Sequence, residues 1–247
     1  MTGRRGLLLL LLAILLPVLP AFAAGPDLFA EANAAYGRGD FKTAAKLYNE
    51  SLGQQQDENA WYNLGNAYFR LDDPGRAALA YERTLVLSPG HPEAASNLRL
   101  VRQKTGARVP DPTFWQIVLS AVPPAAANGL ALGIAWLGFA WAGVALWRRT
   151  GRGGVIGGAL VVALALTYSI GLLWWRAQLA HTSVVVAASV QARNDPFELA
   201  KNSETLPAGT RLKRLTEAQV NGAHLYELPT GSKRWISSGG IESLIAR

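Results

Sequence analysis

The 247-residue chain has no cysteine, one methionine, at position 1, and three histidines. Without cysteine there is no disulfide framework, lipid-modified thiol, thiolate nucleophile or Cys-based metal site, so stability rests on packing. His91, His181 and His224 are scattered without HxxxH or HExxH spacing, which removes the common imidazole metal centres. GxSxG, a phosphate-cradling Gly-rich loop and a GxGxxG between strand and helix are also missing. No nucleophile, base and orienting group stand in company, so the expectation is a non-enzymatic protein with no cofactor.

Charge is missing from two long stretches. Residues 129–147 and 154–175 are uncharged and apolar, separated only by Arg148-Arg149-Thr150-Gly151-Arg152-Gly153. As helices each rises about 30 Å, one hydrocarbon thickness. The expectation is a transmembrane hairpin with helices over 128–147 and 154–175 joined by a turn over 148–153. Trp147, Trp174 and Trp175 stand at interfacial level, and Arg148, Arg149 and Arg152 mark the turn as cytoplasmic. Gly129 and Gly133 have GxxxG spacing, and with Gly138 and Gly143 they are expected to pack on the second span around Gly157 and Gly158 rather than on another copy.

The amino terminus leads to the same topology. Arg4 and Arg5 precede an apolar run from Leu7 to Leu19 and the small-x-small sequence Ala21-Phe22-Ala23. This predicts a signal peptide over 1–23 with cleavage before Ala24. Both soluble parts are then placed on the periplasmic face of the cytoplasmic membrane. The net charge of +7 does not imply nucleic-acid binding. Residues 24–110 carry ten basic and ten acidic side chains and residues 181–247 eight and six, so the excess sits mainly at membrane boundaries rather than in a phosphate-binding patch.

Residues 25–106 hold an internal repeat. Gly39-Asp40-Phe41-Lys42-Thr43-Ala44-Ala45-Lys46-Leu47-Tyr48 recurs in outline at Asp72-Asp73-Pro74-Gly75-Arg76-Ala77-Ala78-Leu79-Ala80-Tyr81, 33 residues on. The second copy reads Trp61, Leu64, Gly65, Tyr68, then Ala77, Tyr81 and Pro89, which resembles the tetratricopeptide (TPR) signature. Gly65 and Ala77 let two helices approach, Trp61, Leu64, Tyr68 and Tyr81 fill the gap, and Pro89 stops the second helix. The first copy is looser, with Leu28 in place of Trp and Gln56 where Pro would close it. A helix from Pro92 starts like a third repeat but puts Arg99 at the small position, and reads as a cap. The resemblance implies a short solenoid whose concave face binds protein partners through Phe29, Asn33 and Tyr36 and through Tyr62, Asn66 and Phe69. Aromatic, Asn, aromatic at i, i+4 and i+7 shares one helix face and offers apolar contact plus an amide for peptide backbone. Packing within each repeat is the competing use of the same residues.

Residues 107–127 read as a stiff linker, Ala107-Arg108-Val109-Pro110-Asp111-Pro112, then an interfacial helix carrying Phe114, Trp115, Ile117, Val118 and Leu119. Packing of that segment under the cap is the alternative. Residues 181–247 change to strand character. The alternating, β-branched run 184–193 ends at Asn194-Asp195-Pro196, and short strands follow through Thr210, the Leu228-Pro229-Thr230-Gly231 hairpin and Trp235-Ile236. This resembles a bacterial SH3-like barrel, with Arg234 where many such domains have Gly. Arg193, Tyr226 and Trp235 are the ligand-site candidates, for a peptide or for peptidoglycan, with Trp235 equally suited to the core.

The fold class expected is therefore a multidomain membrane protein: all-α TPR solenoid, transmembrane α-hairpin and C-terminal all-β SH3-like barrel. Signal, two TPRs, aromatic approach segment, hairpin and barrel, in that order, resemble the BatE-type proteins of Bacteroides-aerotolerance (Bat) operons. That resemblance implies a cytoplasmic-membrane component acting with von Willebrand A-type membrane proteins in envelope stress tolerance, with no catalytic residue and no metal.

Overall fold

The computed structural model describes residues 27–109, 129, 133–141, 144, 152–197 and 203–245. The signal peptide, the interfacial helix, residues 148–151 of the turn and nearly half of the first span lie outside these residues.

Five helices form the amino-terminal unit: α1 (Leu28–Gly37), α2 (Phe41–Gln54), α3 (Glu58–Arg70), α4 (Pro74–Leu87) and α5 (Pro92–Thr105). The first four begin alike. Asp27, Asp40, Asp57 and Asp73 each accept a hydrogen bond from the backbone N–H three residues on, at 2.9–3.1 Å. Each cap satisfies a donor that the helix cannot, worth about 1 kcal/mol. His91 caps α5 through Nδ1, and Gly106, left-handed at φ 73°, ends it. One cluster joins Ala35, Ala44, Tyr48, Trp61 and Leu64, and another joins Ala77, Tyr81, Leu98 and Val101. Gly65 meets the Tyr81 ring so closely that a Cβ would lie 2.6 Å from a ring carbon, which is the close approach the repeat signature requires.

Helix α6 (Arg152–Ala180) extends past the apolar run and passes directly into strand β1 (Thr182–Val185). Its Ile156–Ala180 stretch, mean hydropathy 2.1, is the one helix among the described residues long and apolar enough to cross a membrane, judged by length and composition. Residues 133–141 are helical and lie against it. A Cβ on Gly138 would stand 3.1 Å from the Gly158 carbonyl oxygen, and Trp141 reaches Gly157, whereas Gly129 and Gly133 face open space. Of the small residues expected at this contact, Gly138 makes it, and Gly143 lies outside the described residues.

The carboxy-terminal unit is one antiparallel sheet of seven strands, with β2 (Ser189–Arg193), β3 (Ser203–Pro207), β4 (Arg211–Arg214), β5 (Ala223–Glu227), β6 (Lys233–Ser237) and β7 (Ile241–Ser243) joining β1 in the order β3-β2-β6-β5-β4-β1-β7. The run 184–193, read above as a single strand, holds the end of β1 and all of β2. The Val186 and Ala187 N–H groups both turn to the Gly240 carbonyl, at 2.8 and 3.1 Å, so the chain bends there and pairs with β4 and β7 on one side and with β3 and β6 on the other. Such a corner lets a short sheet wrap one core, here Val185, Val190, Ala192, Leu206, Leu212, Leu228 and Ile236.

Helical repeats and sheet are packed together. Leu79 of α4, Val184 of β1 and Leu244 form a buried cluster that Val86, Leu179 and Val186 enclose. Gly75 of α4 lies on the backbone of Val186, where a Cβ would come within 2.0 Å of the carbonyl oxygen. Beside it, Glu82, 1% exposed, is held between Arg102 of α5 and Arg211 of β4. Arg83 donates to the carbonyls of Ser243 and Leu244 at 2.8 and 3.1 Å. Burial alone would push the Glu82 carboxyl up, but the guanidiniums of Arg211 and Arg102 outweigh it and hold its pKa below the ordinary value.

Candidate functional site

The sheet covers α4, so the face built from α1, α3 and α5 is the one left open. An asparagine ladder runs along it. Asn33 Oδ1 accepts from the Tyr48 hydroxyl at 2.7 Å and from Asn63 Nδ2 at 3.1 Å. One repeat on, Asn66 Oδ1 accepts from the Tyr81 hydroxyl at 2.8 Å and from Asn97 Nδ2 at 3.1 Å. The sequence spacing explains the recurrence, because Asn63 and Asn97 are 34 residues apart and Asn33 and Asn66 are 33 apart.

Electrostatics fixes which way these amides point. Burial pushes the Tyr48 hydroxyl up to about 12 and moves Tyr81 in the same direction, so both phenols stay protonated and donate. Each Oδ1 is thereby committed inward. The Nδ2 groups of Asn33 and Asn66 donate to no described residue and remain available to a carbonyl or carboxylate from outside.

The six residues expected on this face divide into two sets. Phe29 packs on Tyr48 with ring centroids 6.0 Å apart, and Tyr62 packs on Tyr81 at 6.1 Å and His91 at 4.8 Å, so these two mainly build the repeats. Asn33 braces the first pair of helices. Tyr36, Asn66 and Phe69 come together with Arg70, Tyr81, Asn97 and Leu100 around a cleft of about 100 Å³. Its apolar rim is Leu100, half exposed, and its cation is Arg70, stacked 4.6 Å over the Phe41 ring. Arg70, Asn97 and Leu100 were not expected. The signal for Asn97 was available, since carrying the 34-residue register from Asn63 into α5 lands on it.

On the sheet, Arg193 stands directly opposite Trp235 in the β2–β6 pair, and Leu225 faces Trp235 from β5. These side chains are half-buried neighbours on one side. Tyr226 corrects the expected trio. Its side chain is 4% exposed within the core, because strand alternation turns it to the opposite side from Leu225. Among the described residues no group of three or more His, Cys, Asp or Glu is placed to hold a metal ion.

No curated protein matches the chain. A family model described as the tetratricopeptide repeat matches residues 29–92, which span α1 to α4 and reach the start of α5. The helical unit is therefore similar to tetratricopeptide repeats, a class of protein–protein interaction module.

Proposed function

We propose that this chain is a non-enzymatic, membrane-anchored scaffold that holds its helical repeats and an SH3-like barrel, as one packed unit, on the outer face of the cytoplasmic membrane to capture a protein partner. The observation that carries the reading is the cleft of Tyr36, Asn66, Phe69, Asn97 and Leu100 on the face that the sheet leaves open. The uncommitted Nδ2 of Asn66 suits an extended peptide backbone, and the aromatic and aliphatic walls suit an apolar side chain. Anchoring rests on α6 together with the apolar stretch over 128–147, and orientation on Arg148, Arg149 and Arg152 between them. The order of parts favours von Willebrand A-type membrane proteins of a Bat-type envelope stress complex as partners.

The test is a double substitution at exposed positions, Arg70→Glu with Leu100→Asp, in the full-length chain. Co-purification of the von Willebrand A-type proteins falls at least tenfold while the melting temperature stays within a few degrees. Undiminished capture refutes the cleft as the partner site. Orientation is tested separately by a reporter enzyme fused after Arg247, which is active outside the cytosol; activity confined to the cytosol refutes it.

A second reading has its own observation, the adjacency of Arg193 and Trp235 on the sheet, a cation beside an indole of the kind that holds a glycan. In that reading the barrel senses peptidoglycan. Retention of the full chain on purified sacculi, abolished by Trp235→Ala, supports it, and equal retention of both proteins removes it.

A further inference from the structure

A cavity of about 600 Å³ lies where the outer end of α6 meets α5 and the sheet. Its volume falls in the range of about 300–1,000 Å³ typical of small-molecule sites. One wall is apolar and belongs to the last turns of α6: Trp174, Trp175 and Leu179 line it. Trp175 and Leu179 are four residues apart and share a helix face, and Trp174 is 58% exposed. The opposite wall is basic. Arg102 of α5 and Arg211 and Lys213 of β4 line it.

These cations are not fully used. Arg211 gives Nε and Nη2 to Glu82, and Arg102 gives Nη2. Each guanidinium keeps Nη1 without a partner among the described residues, and neither Nη1 is buried and unsatisfied. Lys213 is exposed and makes no ion pair with a described carboxylate, although Glu227 lies opposite it in the sheet and also lines the cavity. Glu82 lies behind the two guanidiniums and offsets one of them. With Glu227 counted as well, three cations face two carboxylates, and a net positive charge remains.

We propose that this cavity holds one anionic glycerophospholipid of the surrounding membrane. Its phosphodiester lies against Arg102, Arg211 and Lys213, and the upper part of an acyl chain runs down Trp174, Trp175 and Leu179. The proposal rests on the reading of α6 as a membrane span. Given that reading, the indole pair marks the level where headgroups meet hydrocarbon, so the basic wall stands at headgroup height beside an apolar path. An anionic headgroup with its chain answers both walls at once. Free phosphate answers one of them and a neutral lipid the other.

The experiment is native mass spectrometry of the full-length chain, purified from membranes in mild detergent, with phosphatidylglycerol, phosphatidylcholine or inorganic phosphate added. The wild-type chain retains one phosphatidylglycerol in preference to phosphatidylcholine. Lys213→Glu, an exposed change that spares the interface arginines, weakens retention about tenfold, the effect of reversing one cation at a lipid headgroup. Trp174→Ala weakens retention without abolishing the preference for the anionic lipid. Equal retention of both lipids, or unchanged retention in Lys213→Glu, overturns the site. Displacement of phosphatidylglycerol by millimolar inorganic phosphate overturns the lipid assignment in favour of a soluble phosphate ligand. A membrane-fraction control separates this from the underlying reading: a chain released by alkaline carbonate refutes the span itself, whereas a chain that stays integral but shows no lipid preference refutes only the site.

Discussion

Two glycines in the helical repeats give opposite responses to one substitution, and the sign depends on whether repeats and sheet are packed in solution. Gly53, near the end of α2, has nothing within 4 Å of the place a Cβ would take. Gly53→Ala therefore gains the ordinary helix benefit, about 0.5–1 kcal/mol. At Gly75, in the first turn of α4, the same methyl would come within 2.0 Å of the Val186 carbonyl oxygen, well over 1 Å inside ordinary contact. The obstructing group is backbone, so no rotamer change relieves it. Either α4 and β1 move apart, thinning the contact among Leu79, Val184 and Leu244, or the strand distorts. Overpacking of this kind costs about 1–3 kcal/mol, which exceeds the helix gain. Gly75→Ala should thus destabilise by roughly 1–2 kcal/mol and lower Tm by about 2–4 °C for each kcal/mol in a chain of this size. Thermal and urea unfolding of the full chain in mild detergent measures both variants against wild type, with amide exchange of β1 as a local readout. If Gly75→Ala melts at or above wild type, as Gly53→Ala is expected to do, the two units are not packed as described and the reasoning fails.

Glu82→Gln leaves two buried guanidiniums facing a neutral amide and should cost about 3–5 kcal/mol, seen as loss of urea resistance and faster exchange in α4. For the wild type, a carboxyl whose folded pKa lies below its ordinary 4.5 contributes stability that is complete above that value and disappears as pH falls through the folded one, so acid unfolding monitored by circular dichroism should steepen below pH 4.5 and flatten in Glu82→Gln. The buried phenols act at the other end of the scale. Tyr48, raised from 10.0 to about 12, and Tyr81, raised in the same direction, contribute stability that is complete below pH 10 and lost as pH climbs through the folded values. Tyr81→Phe should cost about 0.5–1.5 kcal/mol at neutral pH, the net worth of its bond to Asn66, and should reduce the alkaline loss between pH 10 and 12; an unchanged alkaline limb counts against the ladder.

The helical half was the more legible. Small residues at Gly65 and Ala77 and a stop at Pro89 are local signals, and each acts where its spacing puts it. The open face was half legible. Aromatic, Asn, aromatic at i, i+4 and i+7 does select one helix face, but the sequence does not say which of those side chains the neighbouring helix consumes. Tyr48 and Tyr81, 15 residues downstream, take the asparagine oxygens, and Phe29 and Tyr62 go to the same two rings. In the sheet, the bend at Val186 was hidden because β-branched residues suit both arms of a corner, and what makes the corner is the carbonyl of Gly240, more than fifty residues away. The ion triad was hidden for the same reason. Glu82, Arg102 and Arg211 stand on three elements, and nothing local marks a surface-type residue as buried.

That triad bears on whether the repeats can exist without the sheet. Arrays of this kind usually need three or more units, with polar ends, because one repeat cannot cover its own apolar face. The described residues hold two helix pairs and a fifth helix, and the outer face of α4 carries Leu79, 3% exposed, and Glu82, 1% exposed, which pack against the sheet. The sheet thus serves as the missing neighbour, which makes its presence a folding requirement as well as a spacing device. Residues 27–109 expressed alone should therefore expose Leu79 and Val86, lose the Arg211 contact to Glu82 and unfold at markedly lower urea than the same helices in the intact chain. Amide exchange distinguishes the outcomes: α4 and α5 lose protection first, while α1 and α2, which contribute no residue to the buried cluster with the sheet, keep theirs longer. An isolated fragment whose α4 is as protected as in the whole chain would make the sheet an independent passenger, and the fixed orientation of cleft and sheet would lose its physical basis.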